Sequence, residues 1–219
     1  MIPRKYPGEA AIVCGTGPSI TPEIIEAVNA SGLRIFGANR AWEIFNCDVV
    51  HGCNYQFWDH YWPQIKGQPF DKWTTRPELE GKYPGLEYIE ERWEDGLSKD
   101  PSWISAHHGT GPQLVNIAYL YGCTRLLLVG WDMRYLGKKG PREYTRRRYL
   151  PEDPLTINHW PQTGPNGEQT GLIKEMETII PADYGIEIIN CTVGSAMHCF
   201  PFGDLNEEIA ASRGTLRGH

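Results

Sequence analysis

The sequence predicts an α/β fold: a mainly parallel sheet with helices on both faces and a lid-like insertion. Three observations carry that expectation. Short apolar runs of strand type alternate with helix-like segments, the pattern of a parallel sheet built by crossover connections. Proposed strands end in small or polar clusters: Gly15-Thr16-Gly17, Ala38-Asn39, Cys53-Asn54 and Gly130-Trp131-Asp132. Finally, 219 residues suffice for one sizeable core, so residues 1–219 read as a single domain with residues 131–167 inserted as a lid.

The first unit is the clearest. The apolar run Ala11-Ile12-Val13-Cys14 stops at Gly15-Thr16-Gly17-Pro18-Ser19, and a helix-like segment over 21–30 follows at once. Ser19 or Thr21 can cap that helix, and Pro22 suits its first position. Strands are expected at 33–37 and 48–52, then an aromatic-rich helix at 56–65. Residues 66–105, rich in Trp, Pro and Glu, offer short strands at 71–75 and 86–89. After Gly109-Thr110-Gly111-Pro112, residues 113–121 place Leu114, Ile117, Ala118 and Tyr121 on one helical face, and Gly122 stops the helix. Residues 125–130 are apolar almost throughout and closed by glycine, as a buried strand would be. The stretch 131–167 is polar, basic and broken by five prolines, the character of a lid or binding loop. A helix at 168–183, a strand at 185–190 and a short last helix at 204–211 complete the series.

Composition narrows the function. A net charge of −6 argues against a general nucleic-acid coat, yet Lys138, Lys139, Arg142, Arg146, Arg147 and Arg148 cluster against a lone Glu143. That island is a solvated face or an anion site. Six cysteines never form Cys-x-x-Cys, which favours buried reduced thiols over a zinc site or disulfide framework and points to a cytoplasmic protein. No apolar run approaches the ~18 residues of a membrane span. The opening residues lack the apolar stretch of a secretion signal.

A strand, a glycine turn and a helix start are what a nucleotide phosphate needs, because the backbone can approach closely and first-turn N–H groups face the anion. The spacing Gly15-x-Gly17-Pro18-Ser19 is neither Gly-x-Gly-x-x-Gly nor a Walker loop. Carboxyl ends of parallel strands share one edge, where ligands bind, so Asn39 and Asn54 are placed to face that turn. An Asn offers donor and acceptor for a sugar, phosphate or base; it also simply stabilises turns. Tyr55, Trp58, Tyr61 and Trp62 read more readily as packing than as a ligand platform.

The run 13–20, strand ends at Asn39 and Asn54, Thr110-Gly111, the strand 125–130, Trp131-Asp132-Met133-Arg134-Tyr135 and Tyr144 together resemble the bacterial CMP-sialic acid-dependent sialyltransferases of the lipooligosaccharide type. The glycine turn and Gly130-Trp131-Asp132 also resemble the flagellin-modifying nonulosonate transferases and the archaeal 6-hydroxymethylpterin diphosphokinases. The resemblance implies a Rossmann-like, nucleotide-binding domain. It puts the nucleotide on Gly15, Thr16, Gly17, Pro18, Ser19, Asn39, Asn54 and Asp132, with Thr110 near the donor sugar's carboxylate. Tyr135 and Tyr144 would hydrogen-bond the departing phosphate, and His159 would be the general base, with His107 and His108 as rivals. Arg142, Arg146, Arg147 and Arg148 would clamp an anion.

The implied activity is metal-independent, inverting transfer from a CMP-activated acidic sugar to an acceptor that the sequence does not identify. The nucleotide sugar is then a substrate and no resident cofactor is required. Oligomers are common among the related transferases. There are departures: the family's Asn in the turn is Thr16, and its Ser-Gly becomes His108-Gly109-Thr110-Gly111. Two other chemistries stay open. A pterin-type ATP diphosphokinase would need Mg²⁺ held by carboxylates such as Asp132. A nucleotide- or nucleic-acid-binding accessory protein would keep the fold without catalysis.

Overall fold

The structure is a computed structural model that describes residues 1–105, 109–134 and 168–215, with side chains to Arg213. Among the described residues the nine strands are β1 (Ala10–Cys14), β2 (Arg34–Ala38), β3 (Val49–His51), β4 (Asp71–Thr74), β5 (Leu86–Tyr88), β6 (Glu90–Arg92), β7 (Trp103–Ser105), β8 (Arg125–Val129) and β9 (Glu187–Asn190). Seven of them form one sheet in the order β5-β4-β3-β2-β1-β8-β9. Every pairing in it is parallel. The helices are α1 (Pro22–Asn29), α2 (Tyr55–Ile65), α3 (Thr110–Leu120), α4 (Thr170–Glu177) and α5 (Leu205–Thr215).

Strand alternation sorts the core into two faces. Ala11, Val13, Phe36, Leu126 and Leu128 pack with Leu114, Ile117 and Ala118 of α3, Tyr121 just after it, and Met176 of α4. Ala10, Ile12, Cys14, Ile35, Leu127 and Val129 pack on the other face with Val28 of α1 and Ile209 of α5. Val50, Phe57, Trp58, Tyr61 and Ile65 form a third cluster around α2. Both faces are covered, as the apolar strands required.

Several boundaries differ from the sequence expectation, each for a physical reason. α3 begins at Thr110 and not at 113, because Pro112 falls in the first turn, where its missing N–H costs nothing. The expected helix 168–183 ends at Glu177, and a 3-10 turn, Pro181–Tyr184, follows where proline bars continuation. β6 and β7 form a separate two-stranded sheet within residues 66–105, where the sequence offered only the strands at 71–75 and 86–89. Its pattern was hidden because β6, Glu-Glu-Arg, has no fully buried position. That unit is tied to α3 by Asn116, whose Oδ1 accepts the N–H groups of Ser98 and Ser105, each at 2.8 Å. The six cysteines are unpaired thiols, and Cys14, Cys53, Cys123 and Cys191 are buried. Among the described residues, no helix is long and apolar enough to cross a membrane.

Candidate functional site

The strand order fixes where a site can form. From β1 the chain steps outward through β2 to β5, then returns to the other flank of β1 as β8 and β9. The order reverses between β1 and β8, and it is at the carboxyl ends of such strands that doubly wound folds hold ligands. The Gly15–Ser19 turn sits there against the exit of β8. Gly15 N–H donates to the Val129 carbonyl at 2.8 Å, and Gly17 N–H to the Gly130 carbonyl at 2.9 Å. Asp132 clasps the far end of the turn: Oδ1 accepts Ser19 N–H at 3.0 Å and Oδ2 accepts the Ser19 hydroxyl at 2.8 Å. A Cβ on Gly17 would collide with Asp132 Oδ2 and the Gly130 carbonyl, so only glycine fits. Burial raises the Asp132 pKa, against the opposing pull of the Ser19 hydrogen bonds. Met133, the next residue, has φ of 52°, a left-handed conformation rare for a bulky side chain, so the chain bends sharply after the clasp.

The start of α3 faces the same edge from the other side. The Trp131 ring lies against Gly111, where a Cβ would come within 2.9 Å of it, and its Nε1–H donates to the Val13 carbonyl at 2.8 Å. Thr110 reaches two strand exits: its hydroxyl lies 3.0 Å from Cys53 Sγ and 3.5 Å from Asn39 Oδ1. Asn39 itself has φ of 50°, which an Asn tolerates, and it turns the chain out of β2. Gly109 occupies the N-cap without a side-chain hydrogen bond. No side chain caps the first turn of α3, which is the positive end of the helix dipole.

One buried pair seats this helix. His51, at the end of β3, holds the Trp73 carbonyl through Nδ1 at 2.9 Å and meets the Gln113 amide through Nε2 at 2.6 Å. Burial lowers its pKa from 6.5 to about 4, so it is neutral at ordinary pH. The neutral ring has one proton, which Nδ1 gives to the Trp73 carbonyl; Nε2 faces Gln113 Oε1, so a hydrogen bond there requires the Gln113 amide in the opposite orientation, with its N–H toward Nε2.

The sequence-derived residues fall into three groups. Gly15, Thr16, Gly17, Pro18, Ser19 and Asp132 come together at the exits of β1 and β8. Asn39 and Thr110 meet, and Asn54 stands at the N-cap of α2, its side chain free of the capping role. Tyr135, Tyr144, His159, His107, His108, Arg142, Arg146, Arg147 and Arg148 lie outside the described residues.

One expectation changes. The first turn of α1 offers one donor fewer, because Thr21 caps it: Thr21 Oγ1 accepts Ile24 N–H at 3.3 Å, and the Thr21 carbonyl accepts Ile25 N–H. Ser19 is committed to Asp132. The aromatic group of α2 is mostly packing: Trp58 and Tyr61 are buried, Trp62 stacks on Tyr83, and Tyr55 is exposed. Sequence reasoning missed Cys53 as the acceptor for Thr110, and Arg76, whose Nε–H donates to the Cys53 carbonyl. The signal was present, since Arg76 follows the expected strand 71–75 just as Asn39 follows β2.

No protein-family model matches this chain, and no curated protein is similar to it in sequence. Among solved structures, the MAf glycosyltransferase from Magnetospirillum magneticum AMB-1 is similar in fold, with a TM-score of 0.59 and 14% sequence identity. The likeness covers 97% of this chain and 37% of that one, so this chain corresponds to little more than a third of that protein. At such identity the likeness is one of fold, a Rossmann-like α/β sheet flanked by helices.

Proposed function

We propose that this chain is a glycosyltransferase-like enzyme that takes a nucleotide sugar, a CMP-activated acidic sugar, as donor. The observation that carries this reading is the meeting of Asn39, Cys53 and Thr110 at the exits of β2 and β3, on the same sheet edge as the Gly15–Ser19 turn. The fold likeness to a glycosyltransferase over nearly the whole chain supports it. In this reading the crevice between β1 and β8 takes the nucleotide, with Asn39 and Asn54 reading its sugar or base. Thr110 and the first-turn N–H groups of α3 hold negative charge on the donor.

The chemistry is a single displacement. An acceptor hydroxyl attacks the anomeric carbon, the bond from that carbon to the phosphate oxygen breaks, and CMP departs with the electron pair. His159 takes the hydroxyl proton, while Tyr135 and Tyr144 donate hydrogen bonds to the leaving phosphate. Arg142, Arg146, Arg147 and Arg148 add positive charge for the anionic ligand. The pterin diphosphokinase reading is less favoured, because both oxygens of Asp132, the carboxylate proposed for Mg²⁺, are engaged by Ser19.

Calorimetry with CMP, CDP, ATP and GDP, each with and without Mg²⁺, tests this directly. Binding of CMP or CDP without metal is the expected result. Metal-dependent binding of ATP alone would replace the transferase with the kinase, and no nucleotide binding at all would leave an accessory protein. Adding a CMP-activated acidic sugar then asks for turnover, which His159→Ala should abolish while sparing donor binding.

A further inference from the structure

Asn39 leaves β2 in a left-handed conformation, and the chain winds at once into a 3-10 turn, Asn39–Glu43. In such a turn side chains three residues apart eclipse, which brings Arg40 and Glu43 face to face. The pair closes as a fork: Arg40 Nε–H donates to Glu43 Oε1 at 2.5 Å, and Nη2–H to Oε2 at 2.8 Å. Arg40 is 3% exposed, and its guanidinium lies over the Tyr61 ring of α2, 5.5 Å from the centroid. Trp42 meets the same ring at a steep angle, with 6.3 Å between centroids. The turn that begins with Asn39 is therefore fastened to α2, whose N-cap is Asn54.

Stability does not account for this arrangement. Removing two charges from water offsets most of their attraction, and apolar replacements of a buried ion pair are often neutral or stabilising. A planar fork laid on an aromatic face supplies direction instead, because carboxylate and ring together restrict how the guanidinium can lie. Direction is what Asn39 lacks on its own. A left-handed residue other than glycine is strained, and it keeps that shape only where its surroundings over-determine it. Arg40, the next residue, touches both the turn and α2.

We propose that Arg40 is a positioning residue: held between Glu43 and Tyr61, it fixes the left-handed turn that presents Asn39 at the sheet's carboxyl edge. That Asn39 then meets a nucleotide rests on the proposed function; that Arg40 holds Asn39 does not. Where the competent arrangement is only about a tenth populated, apparent affinity falls about tenfold. A loosened turn thus weakens binding without removing any group that touches the ligand.

Two measurements keep these apart. The first reads the backbone by NMR: the cross-peak between a residue's N–H and its own Hα is strong at positive φ and weak at negative φ. In wild type it should be strong for Asn39 and for Met133, whose φ is also positive and which serves as internal reference. Arg40→Met with Glu43→Leu removes the pair without leaving one charge buried alone, and Arg40→Lys keeps the charge but loses the fork. In the double variant the Asn39 peak should weaken while that of Met133 holds, with a smaller loss in Arg40→Lys. An Asn39 peak that stays strong in the double variant, or that fades together with the Met133 peak, overturns the proposal. Should the double variant fail to fold, Arg40→Lys decides by the same criteria; failure of both to fold makes Arg40 a stability residue only and overturns it too. The second measurement is calorimetry with CMP. The double variant should bind about tenfold more weakly than wild type, and that difference should vanish in an Asn39→Ala background. A loss that persists in full there overturns Arg40 as acting through Asn39. Unchanged affinity beside a weakened Asn39 peak leaves Arg40 its role and takes Asn39 out of the nucleotide site. Failure of wild type to bind CMP sinks the transferase reading alone, and the NMR result still decides on Arg40.

Discussion

The residues Gly-Thr-Gly-Pro occur twice in this chain, at 15–18 and 109–112, and the structure lays both copies against the same strand exit, Gly130-Trp131-Asp132. They do opposite things there. The first copy is a turn whose donors point inward, to Val129 and Gly130, with the following Ser19 held by Asp132. The second is already helix by Thr110 and carries no side-chain cap. The residues on the C-terminal side of each copy decide the difference. Ser19-Ile20-Thr21-Pro22 offers a good cap and a good first helical residue, so α1 waits until Pro22. Gln113-Leu114-Val115 offers no competing cap, and the helix starts at once. The first copy therefore shapes the crevice, and the second supplies polar groups to it.

The sharpest way to break this contrast is to add one methyl group to each copy. Gly17→Ala drives a Cβ into the Asp132 carboxylate and a backbone carbonyl that cannot retreat. A loss of about 3 kcal/mol is expected, the upper end for overpacking. Gly111→Ala meets only the edge of the Trp131 ring, and its strain is partly offset by the ~1 kcal/mol helix preference of Ala over Gly, leaving a loss of about 1 kcal/mol. Urea denaturation of both variants measures this. Equal losses would mean that the two copies are held alike.

Acid should act on the two copies with opposite sign. His51, which seats α3, has a folded pKa of about 4 against 6.5 unperturbed. A depressed pKa gives stability that is present above the unfolded value and lost as pH falls toward the folded one. Between pH 7.5 and 5 the expected loss is about 2 kcal/mol. Asp132, which holds the first copy, is raised, so its contribution is greatest at low pH and declines as pH rises through its folded pKa. His51→Gln should flatten the stability profile between pH 7.5 and 5, whatever it costs at neutral pH. An unchanged slope would assign the acid sensitivity elsewhere.

How much of this was legible beforehand depends on the range over which each interaction acts. The strands of the main sheet announced themselves because burial on both faces forces apolar runs, and their exits because turns need small or polar residues. Asn39 and Thr110 were visible as types at an edge. Their contact was not, because it depends on how α3 crosses the sheet. The Ser19–Asp132 clasp spans 113 residues, and no local pattern records it. Met133 in a left-handed conformation runs against its own propensity and is set by the packing around it. β6 went unseen since its Glu-Glu-Arg alternates neither in polarity nor fully in burial. Local chemistry reached the walls of the site; the joins between walls are tertiary.

The clasp itself can be tested by an isosteric change. Asp132→Asn keeps the volume but turns an N–H toward the Ser19 donors, and about 2 kcal/mol should be lost, as for hydrogen bonds to a charged acceptor. In Ser19→Ala the same substitution should cost clearly less, because one of the two bonds is already gone. Additive losses in that cycle would mean that Ser19 and Asp132 are neighbours and not partners.

The smallest effect expected is the most discriminating. Thr21→Ala removes the α1 cap and should lower stability by about 1 kcal/mol. Because the Ile24 N–H of α1 is satisfied within the fold, nucleotide affinity should stay within about twofold of wild type once both proteins are measured well below their melting temperatures. Uncapping α1 frees the Ile24 N–H and strengthens no contact in the crevice. Should affinity instead change about tenfold, the ligand's phosphate must sense the start of α1 directly. The division of labour between the two glycine segments would then be reversed, with the first supplying the donors and the second the shape.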